Sequence, residues 1–229
     1  MNTFDTVIFD LDDTLYPKRQ YTLGGCKTVA KYMSRIYGLD CRSDLEYACL
    51  SGDIHQGITQ TLGKYFSNND PGLTMRLLHV FRCHKPVIWL HQDAQICLAL
   101  LRSMRVNLGV ISKDLPDVQE TKMAALELQD LLDLAYYGRD DDGRDTMADA
   151  FSLLELLSET PRTRTVFVGN DTTTDFDTPR DMGITTVCVS RDQAKVPFLH
   201  ATAHVTIKSL MDLVDALSNF EDINQAKAS

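Results

Sequence analysis

Thr6-Val7-Ile8-Phe9-Asp10-Leu11-Asp12-Asp13-Thr14-Leu15-Tyr16-Pro17 decides the reading of this chain. Its first four residues are a short apolar run rich in β-branched side chains and bounded by acids, the form of a central parallel strand buried on both faces. Three acids follow within four positions. In an open α/β sheet, ligands bind outside the carboxyl ends of the strands, so Asp10 and Asp12 stand where a site belongs. Carboxylates two apart in a loop can face one ligand, and in a water-poor cleft they repel each other unless a cation or proton comes between. A hard divalent ion with oxygen ligands, Mg²⁺ in particular, meets that need. The plainer alternative is a charged turn that ends a strand.

Outward from this stretch, the same kind of run recurs at Val106 to Ile111, Thr165 to Val168 and Thr185 to Val189. Helical periods lie between them at Ala94 to Met104, Pro116 to Leu128 and Met147 to Leu157. Strands alternating with helices of this length predict βαβ units and a doubly wound parallel sheet, a Rossmann-like α/β core. The stretch from 18 to 87 breaks the alternation. Its segments Gly25 to Tyr37, Ser43 to Leu50, Asp53 to Tyr65 and Pro71 to Arg82 read as helices separated by Gly, Asn, Asp and Pro. The expected organisation is therefore a core of 1–17 and 88–219, an all-helical insertion of 18–87, and a frayed tail of 220–229 that lacks a period. Trp89 reads as a packing residue where the insertion rejoins the core.

A chain of 229 residues, 44% hydrophobic and 24% charged, has the balance of a folded globular protein of one large domain or a domain with an insertion. The formal charge of -9 leaves no field over the molecule to draw in a nucleic-acid backbone. The six cysteines form no CxxC pair and sit mostly beside apolar residues, which points to free thiols and a cytoplasmic location. No apolar run approaches 18 residues and the N-terminus has no basic flank, so neither membrane nor signal peptide is expected. The isolated histidines lack metal-ligand spacing. Arg82, His84 and Lys85 form a small basic group that either contacts an anionic part of a substrate or is a solvated face.

The segment Phe9 to Pro17, FDLDDTLYP, resembles the first motif of the haloacid dehalogenase-like hydrolases, and its LYP ending resembles the branch of pyrimidine 5′-nucleotidase-like and other small-molecule phosphatases. The resemblance implies a core with a helical cap and a Mg²⁺-dependent phosphatase acting on a small phosphomonoester, a nucleotide monophosphate or sugar phosphate. Asp10 would attack phosphorus and carry an aspartyl-phosphate, splitting one difficult displacement into two. Asp12 would protonate the leaving oxygen and then activate water. A halide needs no such proton, so Asp12 argues for phosphoryl transfer over carbon-halogen cleavage. Ser112, in GVISKD, occupies the family's second-motif position and would hold the phosphoryl group.

The acidic motif reads Gly169-Asn170-Asp171-Thr172-Thr173-Thr174-Asp175. Asn170 stands where many members have an Asp, so the metal ligand is either that amide oxygen or the neighbouring Asp171, with Asp175 behind it; alternatively Asp175 only caps a helix. Metal ligation is thus expected of Asp10, Asp12, Asp171 and Asp175. The family's third motif, a lysine about six residues before a helix Phe, is absent: relative to Phe151 that position is Asp145. Arg144 is the candidate replacement at the phosphate, with Arg139, Lys113 and Lys122 behind it. Its loss keeps open a second expectation, a weakened or non-catalytic member that binds a phosphate ligand, and a third, phosphotransfer to an acceptor other than water.

Overall fold

The computed structural model describes residues 4–67, 70–137, 147–170, 176–191 and 203–217. Its sheet has six parallel strands in the order β3-β2-β1-β4-β5-β6. They are β1 (Thr6–Phe9), β2 (Asn107–Ser112), β3 (Leu134–Tyr137), β4 (Thr165–Gly169), β5 (Thr185–Val189) and β6 (Val205–Ile207). Every residue of β1 is buried, as its unbroken apolar run requires of a strand covered on both faces. The chain builds outward from β1 through β2 to β3 and then returns to place β4 on β1's other side. The topological switch point therefore falls at β1 and β4, the place where α/β sheets of this order open a crevice for ligands.

The helices among the sheet residues are α5 (Gln92–Ser103), α6 (Pro116–Ala125), α7 (Met147–Ser158) and α8 (Asp177–Asp181). One core cluster joins Ile8 and Ile111 of the inner strands to Phe151 and Leu154 of α7, with Phe167 and Phe176 stacked edge-on between them. Each such fully buried side chain contributes about 1.5–3 kcal/mol. At the other end of the strands, Asp5 joins β1 to β4: its N–H donates to the Arg164 carbonyl at 3.0 Å and its carboxylate accepts from the Arg164 guanidinium.

The chain divides into two compact units. One holds the sheet. The other is Pro17–Trp89, made of α1 (Lys18–Tyr37), α2 (Arg42–Ser51), α3 (Ile54–Tyr65) and α4 (Pro71–Arg82), and it also takes in Glu120–Ala125 of α6. The sequence had assigned only 18–87 to the helical part, because nothing in a continuous helix marks that its second half packs with a remote segment. Helix α1 begins seven residues earlier than the glycine pair Gly24-Gly25 suggested. These glycines are there for close approach rather than as breakers. A Cβ on Gly25 would lie 2.4 Å from the Phe81 ring, and one on Gly24 would lie 2.9 Å from His84 Nε2.

Two other expectations change. Trp89 is 63% exposed and packs no core. The basic trio does not act as one face: Arg82 and Lys85 are exposed, while His84 turns inward and stacks on Tyr21 with ring centroids 4.6 Å apart. None of the six thiols is in a disulfide and five of them are buried, and burial pushes Cys97 up to about 12. No helix among the described residues is long and apolar enough to cross a membrane. The expected tail, 220–229, lies outside the described residues.

Candidate active site

The loop leaving β1 folds back on itself within six residues. The Leu15 N–H donates to the Leu11 carbonyl at 3.1 Å and the Asp13 N–H to the Tyr16 carbonyl at 2.9 Å. Asp13 takes the left-handed conformation at φ 60°, which aspartate tolerates better than most residues, and it is exposed. This tight turn carries the two expected acids, both partly exposed. The register sets Phe9 against Val110 of β2 and Val168 of β4, and the Asp10 N–H donates to the Val168 carbonyl at 2.8 Å. Asp10 is thus abreast of Gly169, and Asn170 is the first residue past β4.

Two neutral donors stand at Asp10. The Thr14 hydroxyl donates to Asp10 Oδ2 at 3.1 Å, and Asn170 Nδ2 lies 3.4 Å from the same oxygen. Asn170 Nδ2 also donates to the backbone carbonyl of Asp12 at 2.5 Å and to Thr14 Oγ1 at 2.9 Å. Asp12 turns its carboxylate the other way, where the phenol of fully buried Tyr16 donates to Oδ1. Thr14 and Tyr16 were not singled out from the sequence. Each lies four residues after the acid it serves, a spacing that becomes informative only once the loop is known to close.

Ser112 is the last residue of β2, on the strand next to Asp10's and two positions beyond the level of Phe9, and it is 5% exposed. The fallback cation Lys122 belongs to the helical unit, where its fully buried ammonium stands 4.6 Å above the Tyr21 ring. Arg144, Arg139, Asp171 and Asp175 lie outside the described residues.

A second ring of contacts, also missed in the sequence, steadies the loop. The Arg191 guanidinium donates to the Thr14 carbonyl at 3.1 Å and pairs with Asp93 at 2.7 Å. Asp93 further accepts from the Leu210 N–H and the Ser209 hydroxyl. Burial alone would raise its carboxyl, but these donors together hold it below the usual carboxylate range.

The arrangement brings together a carboxylate just past the central strand, a second carboxylate on the same loop and a hydroxyl at the neighbouring strand end. For Mg²⁺, Asp10's carboxylate and Asp12's carbonyl are oxygens of the right kind. The point on which they converge, however, is taken by the amide nitrogen of Asn170, a donor where a cation would need a third oxygen. Among the described residues no three His, Cys, Asp or Glu side chains gather as a metal site. As described, these residues do not close a Mg²⁺ seat.

Known proteins with this architecture are numerous. A hydrolase from Bacillus subtilis, YfnB, whose structure was determined bound to magnesium, is 14% identical with a TM-score of 0.68, covering 94% of this chain and 99% of its own. A predicted phosphoglycolate phosphatase from Haemophilus somnus is also 14% identical at 0.68, covering 94% and 98%. The L-2-haloacid dehalogenase of Xanthobacter autotrophicus is 17% identical at 0.60, covering 94% and 99%. No curated protein sequence matches this chain. At these identities the neighbours speak for the fold alone. The sequence itself goes further: the model of the haloacid dehalogenase-like hydrolases matches it over residues 7–189, from within β1 to the end of β5. That span contains the acid-bearing loop, Ser112 and Asn170 in their expected order, and the chain belongs to the haloacid dehalogenase-like hydrolase family.

Proposed function

We propose that this chain hydrolyses a small phosphomonoester, a nucleotide monophosphate or sugar phosphate, through an aspartyl-phosphate on Asp10. The observation that carries this reading is the Asp12 carboxylate, braced by the Tyr16 phenol on the loop that leaves the nucleophile's strand. An alkoxide leaving group needs a proton, and water needs a base to attack the intermediate; one carboxylate can do both in turn. Asp10 attacks phosphorus as its leaving oxygen takes the proton from Asp12, and Asp12 then removes a proton from the incoming water. Thr14 and Asn170 fix the Asp10 oxygen that does not attack. Ser112, at the end of the neighbouring strand, would donate to the transferring group, and Arg144 is the candidate cation for it. Mg²⁺ enters this reading only from the family resemblance, with Asp171 and Asp175 as its remaining ligands, and the Asn170 amide that donates to the Asp12 carbonyl beside Asp10 stands against it.

A second reading is favoured by one observation. Asn170's amide nitrogen stands 3.4 Å from Asp10 Oδ2, a neutral donor beside the carboxylate, which suits displacement of halide from carbon. Some of the neighbouring structures are of L-2-haloacid dehalogenases. Asp12 counts against this reading, since a departing halide takes no proton.

The test is a screen of phosphorylated metabolites and 2-haloacids with and without Mg²⁺, followed by two variants. Asp10→Asn is expected to abolish turnover, because an amide forms no acyl phosphate. Asp12→Asn is expected to lose about 10²–10⁴-fold and, with p-nitrophenyl phosphate, to accumulate phosphoenzyme. Equal residual activity in both variants, or phosphate on a residue other than Asp10, would overturn the assignment.

A further inference from the structure

Three oxygens surround the Asn170 amide nitrogen: Asp12 O at 2.5 Å, Thr14 Oγ1 at 2.9 Å and Asp10 Oδ2 at 3.4 Å. Two of them, a carboxylate and a backbone carbonyl, can only accept hydrogen bonds. The donor end of the amide must therefore face them; turned over, its oxygen would meet two acceptors. The Thr14 hydroxyl gives its own hydrogen to Asp10 Oδ2 and so takes one from Asn170. The Asn170 amide nitrogen thereby bridges Asp10 and the Asp12 carbonyl, with Thr14 Oγ1 as a shared neighbour.

From this we propose that the amide nitrogen of Asn170 stands in for a divalent cation. In this chain it joins the nucleophilic carboxylate to the Asp12 carbonyl and competes with metal for the same two oxygens. The inference deepens the reading of Asp10 and Asp12 as the site, but it concerns what holds them and not which bond is cleaved. Its physical content is competition. An asparagine acting as a metal ligand helps the ion bind, whereas one that donates to the ion's own ligands opposes it. Removing the side chain separates the two cases, because loss of a ligand weakens binding and loss of a competitor does not. Replacing it with aspartate takes away the donor and adds both charge and an oxygen, which is what a hard cation prefers.

The probe is Mn²⁺, followed by electron paramagnetic resonance of the free ion on the full chain without substrate. Asn170→Asp is expected to bind Mn²⁺ at least tenfold more tightly than the wild type, and Asn170→Ala at least as tightly as the wild type. Wild type binding as tightly as Asn170→Asp would overturn the proposal. So would weaker binding by Asn170→Ala, or no Mn²⁺ on Asn170→Asp at all. Should the variants fail to fold, the wild type alone decides. In protein labelled with ¹⁵N-asparagine, one side-chain amide pair is expected to exchange slowly with water and to keep its shift when Mg²⁺ is added to 10 mM. Absence of a slow pair, or its displacement by Mg²⁺, would overturn the proposal. Absence of turnover on every ester tried would count against the proposed reaction and leave both of these readouts standing.

Discussion

Replacing Thr14 by valine keeps the shape of a fully buried side chain and removes one oxygen. That oxygen donates to Asp10 Oδ2 at 3.1 Å and accepts from Asn170 Nδ2 at 2.9 Å. The variant therefore takes a donor from a carboxylate and an acceptor from an amide. A buried polar group stripped of its partner costs about 1–3 kcal/mol. Asp10 and Asn170 are both partly exposed, so water can replace some of what is lost, and a total of about 1–2 kcal/mol is expected. For a chain of this size each kcal/mol moves the melting temperature by roughly 2–4 °C, so Thr14→Val should melt about 2–8 °C below the wild type. Circular dichroism melts of the wild type, Thr14→Val and Thr14→Ser measure it. Serine restores the hydroxyl but loses a buried methyl worth about 0.8 kcal/mol, so it should recover only part of the loss. In an Asp10→Ala background the valine substitution should cost at least about 0.5 kcal/mol less, the signature of coupled neighbours. Melting of Thr14→Val within 1 °C of the wild type, or full additivity with Asp10→Ala, would refute the hydrogen-bonded arrangement from which the active-site argument starts.

Three further outcomes follow from the packing. Gly25→Ala should destabilise by about 1–3 kcal/mol, because its Cβ would lie 2.4–2.6 Å from three carbons of the buried Phe81 ring; Gly63→Ala, facing nothing within 4 Å on α3, should stabilise by up to about 1 kcal/mol, and urea midpoints should move in opposite directions. Arg191→Met should cost about 1–3 kcal/mol, since it leaves the Asp93 carboxylate with only the Ser209 hydroxyl and Leu210 N–H; adding Asp93→Asn should recover part of it, and an unchanged urea midpoint in the single variant would argue against the pair. Burial depresses the His84 pKa, with the Phe81 carbonyl opposing and Lys122 adding to the effect, so the folded chain binds this proton less readily than the unfolded one. Stability should then fall as pH drops below about 6.5, by at most about 1.4 kcal/mol per unit from this residue. His84→Gln should flatten that slope between pH 7 and 5.5, and an identical slope in the variant would remove His84 as its cause.

What the sequence disclosed and what it withheld divide along one physical line. Central strands β1, β4 and β5 announce themselves because burial on both faces demands an unbroken apolar run. The edge strands β3 and β6, half-buried along most of their length, carry no such run and were missed. Covalent spacing likewise put Asp10 and Asp12 at a strand end, and the order of motifs brought Ser112 and Asn170 to neighbouring strand ends. The sequence could also pose the question of whether Asn170 serves as an oxygen ligand. It could not answer it, because the deciding partner is the backbone carbonyl of Asp12, an atom that every residue possesses and no residue pattern records. That carbonyl reaches the amide only because the loop closes through hydrogen bonds from Asp13 to Tyr16 and from Leu15 to Leu11, with Asp13 in the left-handed region. The same closure sends the Asp12 side chain to Tyr16 while its main chain faces Asn170. One residue thereby serves two ends: its carboxylate accepts from the Tyr16 phenol, and its carbonyl accepts from the Asn170 amide that stands beside Asp10. A substitution at position 12 should consequently leave the placement of Asp10 largely intact and, under the proposed reaction, fall on proton transfer, because only the side chain is altered and the carbonyl remains.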